Sequence, residues 1–233
     1  MSAPSIRARV RAEMTDEIKA IAKRQLAADG ANLSLRAVAR DLGVVSSAIY
    51  RYFASRDDLL TALIIDAYNG VGQAVEDADA SADQADFTGR WLAVAHGVRD
   101  WALAVPHEYM LIYGSPVPGY HAPVTTVPAA VRGTTVLGRI LADAVAAGVL
   151  RDTGEDLPDA LRHDLAGVRA GVFPDVPETV LVRGMAGWVQ LFGTISFELG
   201  GQFTNVLTER RVFFDHQMRA MAAYVGLSAA PAP

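Results

Sequence analysis

The residues Ser46-Ser47-Ala48-Ile49-Tyr50-Arg51-Tyr52 form a short run that carries two serine hydroxyls, two phenols and one guanidinium, with no acid among them. Hydroxyls and phenols donate hydrogen bonds to phosphate oxygens, and a guanidinium also matches the paired acceptors on the edge of guanine. Small residues at the tip, here Ser46, Ser47 and Ala48, let a helix enter a groove about 12 Å wide. Arg36 and Arg56 stand close to the starts of the flanking helices, where phosphates dock. The chemistry to expect from this stretch is contact with double-stranded DNA. The bland alternative is an ordinary exposed helix.

The elements that must position these groups are legible on either side. Ser34 is placed to cap a helix over 35–42, in which Leu35, Val38, Ala39 and Leu42 make one apolar stripe. Gly43 then allows a sharp turn, and Ile49 and Phe53 point back from the next short helix. A small residue at Ala39, a glycine in the turn and a branched apolar residue at Ile49 suit two helices that cross closely. That is the helix-turn-helix arrangement, whose second helix lies in the major groove. Ser55, with Asp58 three residues on, predicts the capped start of a long helix.

The whole chain has 233 residues, 51% of them hydrophobic and 20% charged, enough for a sizeable core; only the tail "SAAPAP" at 228–233 is expected to be disordered. It contains no cysteine, which excludes disulfides, thiolate metal sites and a cysteine nucleophile. Net charge is −5, yet residues 1–56 carry +5 and residues 57–233 carry −10. A basic module on an acidic body is expected, because phosphate contact depends on the local field. Arg7, Arg9 and Arg11 are not followed by an apolar stretch, so they do not read as a signal peptide, and a cytoplasmic protein is expected. The same three arginines suit either a minor-groove arm or a solvated charge run.

Apolar residues recur at helical spacing almost throughout, and no strand alternation appears. The pattern predicts helices near 6–28, 35–42, 46–52, 56–80, 85–105, 107–114, 125–147, 158–169, 178–200 and 205–225. In the span 179–199, 14 uncharged residues separate Arg183 from Glu198, short of the roughly 20 that cross a bilayer, so a buried helix is expected. Gly184, Gly187 and Gly193 would permit close packing there. With the helix that follows, it can supply half of an intersubunit four-helix bundle, which predicts a homodimer.

Residues Leu33 to Leu60 resemble the DNA-binding signature of the TetR family: Gly43-Val44-Val45, the small triad Ser46-Ser47-Ala48, then Ile49-Tyr50, Phe53 and the helix start from Ser55 to Leu59. Val45 stands where the family usually places a Ser or Thr cap, which moves the expected start of the recognition helix to Ser46. "WVQLFGTISFELGGQF" resembles the Trp-x-x-x-His-Gly segment of a TetR subset with a WHG-type ligand domain, through Trp188 and Gly193, with Phe192 in place of the histidine. The resemblance implies an all-α protein: a three-helix helix-turn-helix domain at 1–54, and a larger helical ligand-binding and dimerisation domain at 55–227. It implies a repressor released from a palindromic operator by a small apolar or aromatic effector. The expected DNA contacts are Ser34, Arg36, Val45, Ser46, Ser47, Ala48, Tyr50, Arg51, Tyr52 and Arg56.

On the helix near 85–105, Trp91, Ala95, Val98 and Ala102 make one stripe, while Leu92, His96, Arg99 and Leu103 make another. A buried His or Arg needs a partner, either a ligand or a protein carboxylate. His96, Trp101, Tyr109, Tyr113, Trp188 and Phe192 are the candidate ligand contacts; each aromatic serves equally as core. No paired histidines at metal spacing, GxSxG or P-loop occur, and "GVGQAV" from Gly70 lies in a helical pattern with no strand before it. Neither catalysis, a metal nor a cofactor is expected. A helical enzyme or adaptor with a vestigial helix-turn-helix is the alternative.

Overall fold

The computed structural model describes residues 5–29 and 33–227, so part of the gap expected between the helices near 6–28 and 35–42, and the tail at 228–233, lie outside the described residues. Among the described residues there is no strand. The helices are α1 (Ile6–Asp29), α2 (Leu35–Leu42), α3 (Ser46–Ile49), α4 (Arg56–Ser81), α5 (Phe87–Ala104), α6 (Pro106–Tyr113), a 3-10 turn at Val124–Thr126, α7 (Val127–Ala130), α8 (Arg132–Ala146), α9 (Asp159–Val172), α10 (Glu178–Leu199) and α11 (Arg210–Val225). The all-α expectation holds.

Three expected helices are shorter than their apolar pattern. α3 stops at Ile49, and the chain to Phe53 goes on in turns closed by Arg51 N–H to Ala48 O and Tyr52 N–H to Ile49 O. The span 125–147 is divided at Val131 into a first part, the 3-10 turn and α7, and a second part, α8. The last helix begins at Arg210 rather than 205, because Gly201 and Asn205 take left-handed backbone that no α-helix continues.

The described chain divides into two compact units. One holds the residues up to Tyr68 together with Val105–Ala129; the other holds Asn69–Ala104 and the residues from Ala130 on. In the first, Ile18, Ile21, Ala22 and Leu26 line one face of α1 and meet Leu35, Val38 and Ala39 of α2, Ile49, Phe53, and Leu59, Leu60, Leu63 and Ile64 of α4. Burying one side chain of this size contributes about 1.5–3 kcal/mol. The segment 105–129 packs with these N-terminal helices: Lys23 Nζ lies 2.9 Å from Glu108 Oε1, and the Thr61 and Tyr120 hydroxyls are 2.8 Å apart.

In the second unit α5 is the core helix, buried at Arg90, Trp91, Leu92, Val94, Ala95, Val98, Arg99 and Ala102. The Trp91 indole N–H donates to the Met218 carbonyl at 3.0 Å, and a Cβ at Gly187 would fall 2.6 Å from the Trp91 ring. Gly187 and, against Leu141, Gly184 therefore do admit close neighbours; Gly193 does not, for nothing lies within 4 Å of a Cβ built there. Gly138 of α8 carries the Phe173 ring directly on its backbone, with a Cβ there 1.6 Å from the ring edge. α10 is 22 residues long and, by length and composition, long and apolar enough to cross a membrane. Its inner face is buried at Val180, Leu181, Gly187, Leu191 and Ile195.

Candidate nucleic-acid interface

α2 and α3 are joined by Gly43, whose φ of +75° is the left-handed region that a side chain would strain. Its N–H donates to the Arg40 carbonyl at 3.1 Å, and Val44 N–H to that of Ala39 at 3.0 Å, so α2 ends in a closed cap. Val45 then stands in extended backbone at φ −69°, ψ 143°, and α3 starts at Ser46. The start agrees with Val45 replacing a capping residue.

Ile49 and Phe53, four apart, are buried in the core, which turns the opposite face of α3 outward. On that face Ser47, Tyr50 and Arg51 are exposed, and Ser46 and Ala48 are half-buried at its edges. Val45 is exposed as well, 71% of its surface facing solvent. Arg36 is exposed on α2. Asp41, the acid of α2, accepts from Gln25 at 2.8 Å, and this bond first, with nearby Arg40, holds its carboxyl below the usual carboxylate range.

Ser34, Arg56 and Tyr52 differ from expectation. Ser34 occupies the N-cap of α2 in extended backbone, but its hydroxyl makes no capping bond; its carbonyl takes the Val38 N–H instead. Ser55 does cap, its Oγ accepting the Asp58 N–H at 3.0 Å. Arg56 directs its Nε to the Leu33 carbonyl at 3.1 Å and lies 3.4 Å from Asp57 Oδ1, so it ties the start of α4 to the approach to α2. Tyr52 is half-buried, packed on the core beneath the Arg11 guanidinium.

The expected ligand residues fall in both units. Tyr109 is fully buried and Tyr113 half-buried in the first, their rings 5.2 Å apart, with Tyr68 edge-on to Tyr113 at 6.2 Å. Burial, more than the neighbouring phenols, pushes the Tyr113 hydroxyl above its ordinary pKa. His96, Trp101, Trp188 and Phe192 lie in the second unit, all half-buried, with Trp188 and Phe192 4.5 Å apart. His96 Nε2 is 3.1 Å from Asp215, and its ring meets Phe214 at 5.3 Å. Arg99 is held by Glu198 at 2.8 and 2.6 Å. The partners that burial demands are therefore protein carboxylates. His96 Nδ1 alone on that ring is buried with no hydrogen-bond partner among the described residues.

Two cavities in the second unit are lined by other residues. One of about 530 Å³ lies among Asp152, Glu155, Arg162, Arg169, Glu178 and Thr179; one of about 230 Å³ lies among Thr135, Gly138, Arg139, Phe173 and Asp175. Sequence reasoning passed over them, and over the buried Arg90, which reaches Asp79 at 2.7 and 3.1 Å and Asp143 at 2.8 Å. No local spacing marks such pairs, since the partners stand 11 and 53 residues away.

A short helix that shows hydroxyls and a guanidinium to solvent, while two apolar anchors fix it to a trihelical core, is the working part of a helix-turn-helix DNA-binding protein. Residues 18–63 match the family described as bacterial regulatory proteins, tetR family, and residues 91–221 match a tetracyclin repressor-like C-terminal domain. The chain belongs to the TetR family and is a DNA-binding regulator of transcription. It is 38% identical over 219 residues to the HTH-type transcriptional regulator Rv1816 of Mycobacterium tuberculosis, covering 91% of this chain and 92% of that one. The regulator Mb1846 of Mycobacterium bovis is similar to the same extent. Among solved structures, the regulatory protein SCO4313 matches with a TM-score of 0.76 at 35% identity, over 95% of this chain and 100% of that one. PfmR, a TetR family regulator from Thermus thermophilus, shares the fold at a TM-score of 0.59 and 17% identity, over 92% and 99% of the two chains.

Proposed function

We propose that the protein is a homodimeric repressor in the cytoplasm that leaves a near-palindromic operator when a small apolar or aromatic molecule binds its C-terminal part. In this reading residues 1–54 contact DNA and residues 55–227 bind the ligand and dimerise. The observation that carries it is the outward face of α3, with Ser47, Tyr50 and Arg51 exposed opposite the buried Ile49 and Phe53. Ser46 and Ala48 flank the base edges; Arg36, Val45 and Tyr52 contact the backbone and groove wall. Ser34 and Arg56, at the starts of α2 and α4, are the remaining proposed contacts.

The dimer is proposed through α10 and α11. Met185, Val189, Gly193 and Phe197 recur every four residues on α10 and are exposed, as are Val212 and Tyr224 on α11. An apolar stripe at helical spacing is what a partner helix covers. A two-fold dimer sets its recognition helices about 34 Å apart or slightly more. The effector is proposed to meet His96, Trp101, Trp188 and Phe192 within the second unit; Tyr109 and Tyr113 remain candidate contacts within the first. It weakens DNA binding by at most its differential affinity for the two forms.

The test is selection of bound sequences from a random duplex pool by the purified protein, repeated across a salt series. One palindrome, with affinity falling steeply in salt, is expected. A folded dimer that enriches no sequence would reject the reading.

A further inference from the structure

The three N-terminal arginines all lie on the surface of α1 rather than on an extended arm, and among them it is Arg11 that is tied to the recognition segment. Its Nη2 donates to the Arg51 carbonyl at 3.1 Å, and its Cζ lies 5.1 Å from the centre of the Tyr52 ring. The turn it touches is otherwise held by Arg51 N–H to Ala48 O at 3.3 Å, and by the Tyr52 and Phe53 N–H groups, which both reach Ile49 O. The Arg51 carbonyl lies two residues past α3, in a turn that no helix continues, and the Arg11 guanidinium donates to it. A planar guanidinium can bond a carbonyl at its edge while stacking a ring with its face; an ammonium cannot do both. Arg11 is fixed in turn on α1, where its own carbonyl accepts the Thr15 hydroxyl at 2.8 Å.

We propose that Arg11 is a positioning residue for sequence readout: it sets the turn that carries Tyr50 and Arg51, and does not itself contact DNA. The inference rests on the reading of α3 as the base-reading helix. Base-edge bonds need side chains held within about 0.5 Å of their working geometry, whereas a phosphate tolerates much more. Loss of Arg11 therefore acts on discrimination first.

The full-length protein, its Arg11→Ala, Arg11→Lys and Tyr52→Leu variants and the Arg11→Ala/Tyr52→Leu double variant would be titrated against the selected operator, single-base variants of it and unrelated duplex, across a salt series. Arg11→Ala should weaken operator binding about tenfold, as for a lost charged hydrogen bond, and leave binding to unrelated duplex unchanged. The salt slope should stay constant, and Arg11→Lys should behave like Arg11→Ala. The double variant should lose less than the two single losses combined, because the two groups act together. Restoration by Lys, with a slope about one unit shallower in Arg11→Ala, would overturn the proposal in favour of a direct phosphate contact. Wild-type discrimination in Arg11→Ala would also overturn it. If the unaltered protein enriched no sequence, the reading of α3 would fall first and take this inference with it. Arg11 is exposed, so Arg11→Ala and Arg11→Lys should keep the wild-type unfolding midpoint.

Discussion

Among the described residues, the second compact unit has buried arginines and the first has none. In the first, Arg7, Arg36 and Arg51 are exposed. In the second, Arg90 and Arg99 are buried and locked on Asp79, Asp143 and Glu198. The uneven charge along the chain thus has two physical meanings. The positive excess of residues 1–56 is presented to solvent, where it creates a local field for phosphates. Part of the negative excess that follows is internal, neutralising cations that fix α5 against α4, α8 and α10.

Removing one member of a buried lock should have the largest effect. Arg99→Ala leaves Glu198 buried and unpaired, and should cost about 3–5 kcal/mol in urea denaturation. A loss below about 1 kcal/mol would mean that the site hydrates easily, and the contrast between the units would weaken. On the exposed side, Arg51→Ala should weaken operator binding by about 1–3 kcal/mol with no change in the unfolding midpoint. An equal loss on all sequences would show a phosphate contact rather than base reading. Ser55→Ala removes the cap of α4 and should cost about 1 kcal/mol of stability, while Ser55→Asp should be nearly neutral. If the alanine variant is also neutral, the capping bond contributes nothing to α4.

The smallest effect concerns pH. Arg219, and then His96, hold the Asp215 carboxyl below its usual range. The unfolded chain takes up that proton first, so the stability Asp215 contributes is present above about pH 4 and is lost as pH falls through the folded pKa. Asp215→Asn should flatten this part of the acid limb in a series of denaturation curves. The side chain is a third exposed, so solvent screens the pair and the change should be the slightest of the four.

Legibility followed the range of the forces involved. α2 has the bounds that its apolar stripe and Gly43 predict, because both act within one turn of helix. The end of α3 does not: the apolar spacing of Ile49 and Phe53 runs on past it, and one contact of the closing turn comes from Arg11, 40 residues before Arg51. The need for a partner at His96 and Arg99 was readable from a polar interruption in an apolar face. The partners' identity was not, for they stand 119 and 99 residues on. Likewise, the boundary expected at 54/55 follows the end of a local motif. The packing of 105–129 with the N-terminal helices depends on pairs such as Lys23 with Glu108, which no window of sequence contains.

The Phe173 ring resting on bare backbone at Gly138 makes a socket. Phe173→Ala would take away the ring and open the floor of α8 onto the neighbouring 230 Å³ space. That space is also lined by Thr135, Arg139 and Asp175, so water would fill it. In the other direction, any side chain at Gly138 would have to unseat the ring, so the two residues work as peg and hole that fasten the segment after α9 to α8.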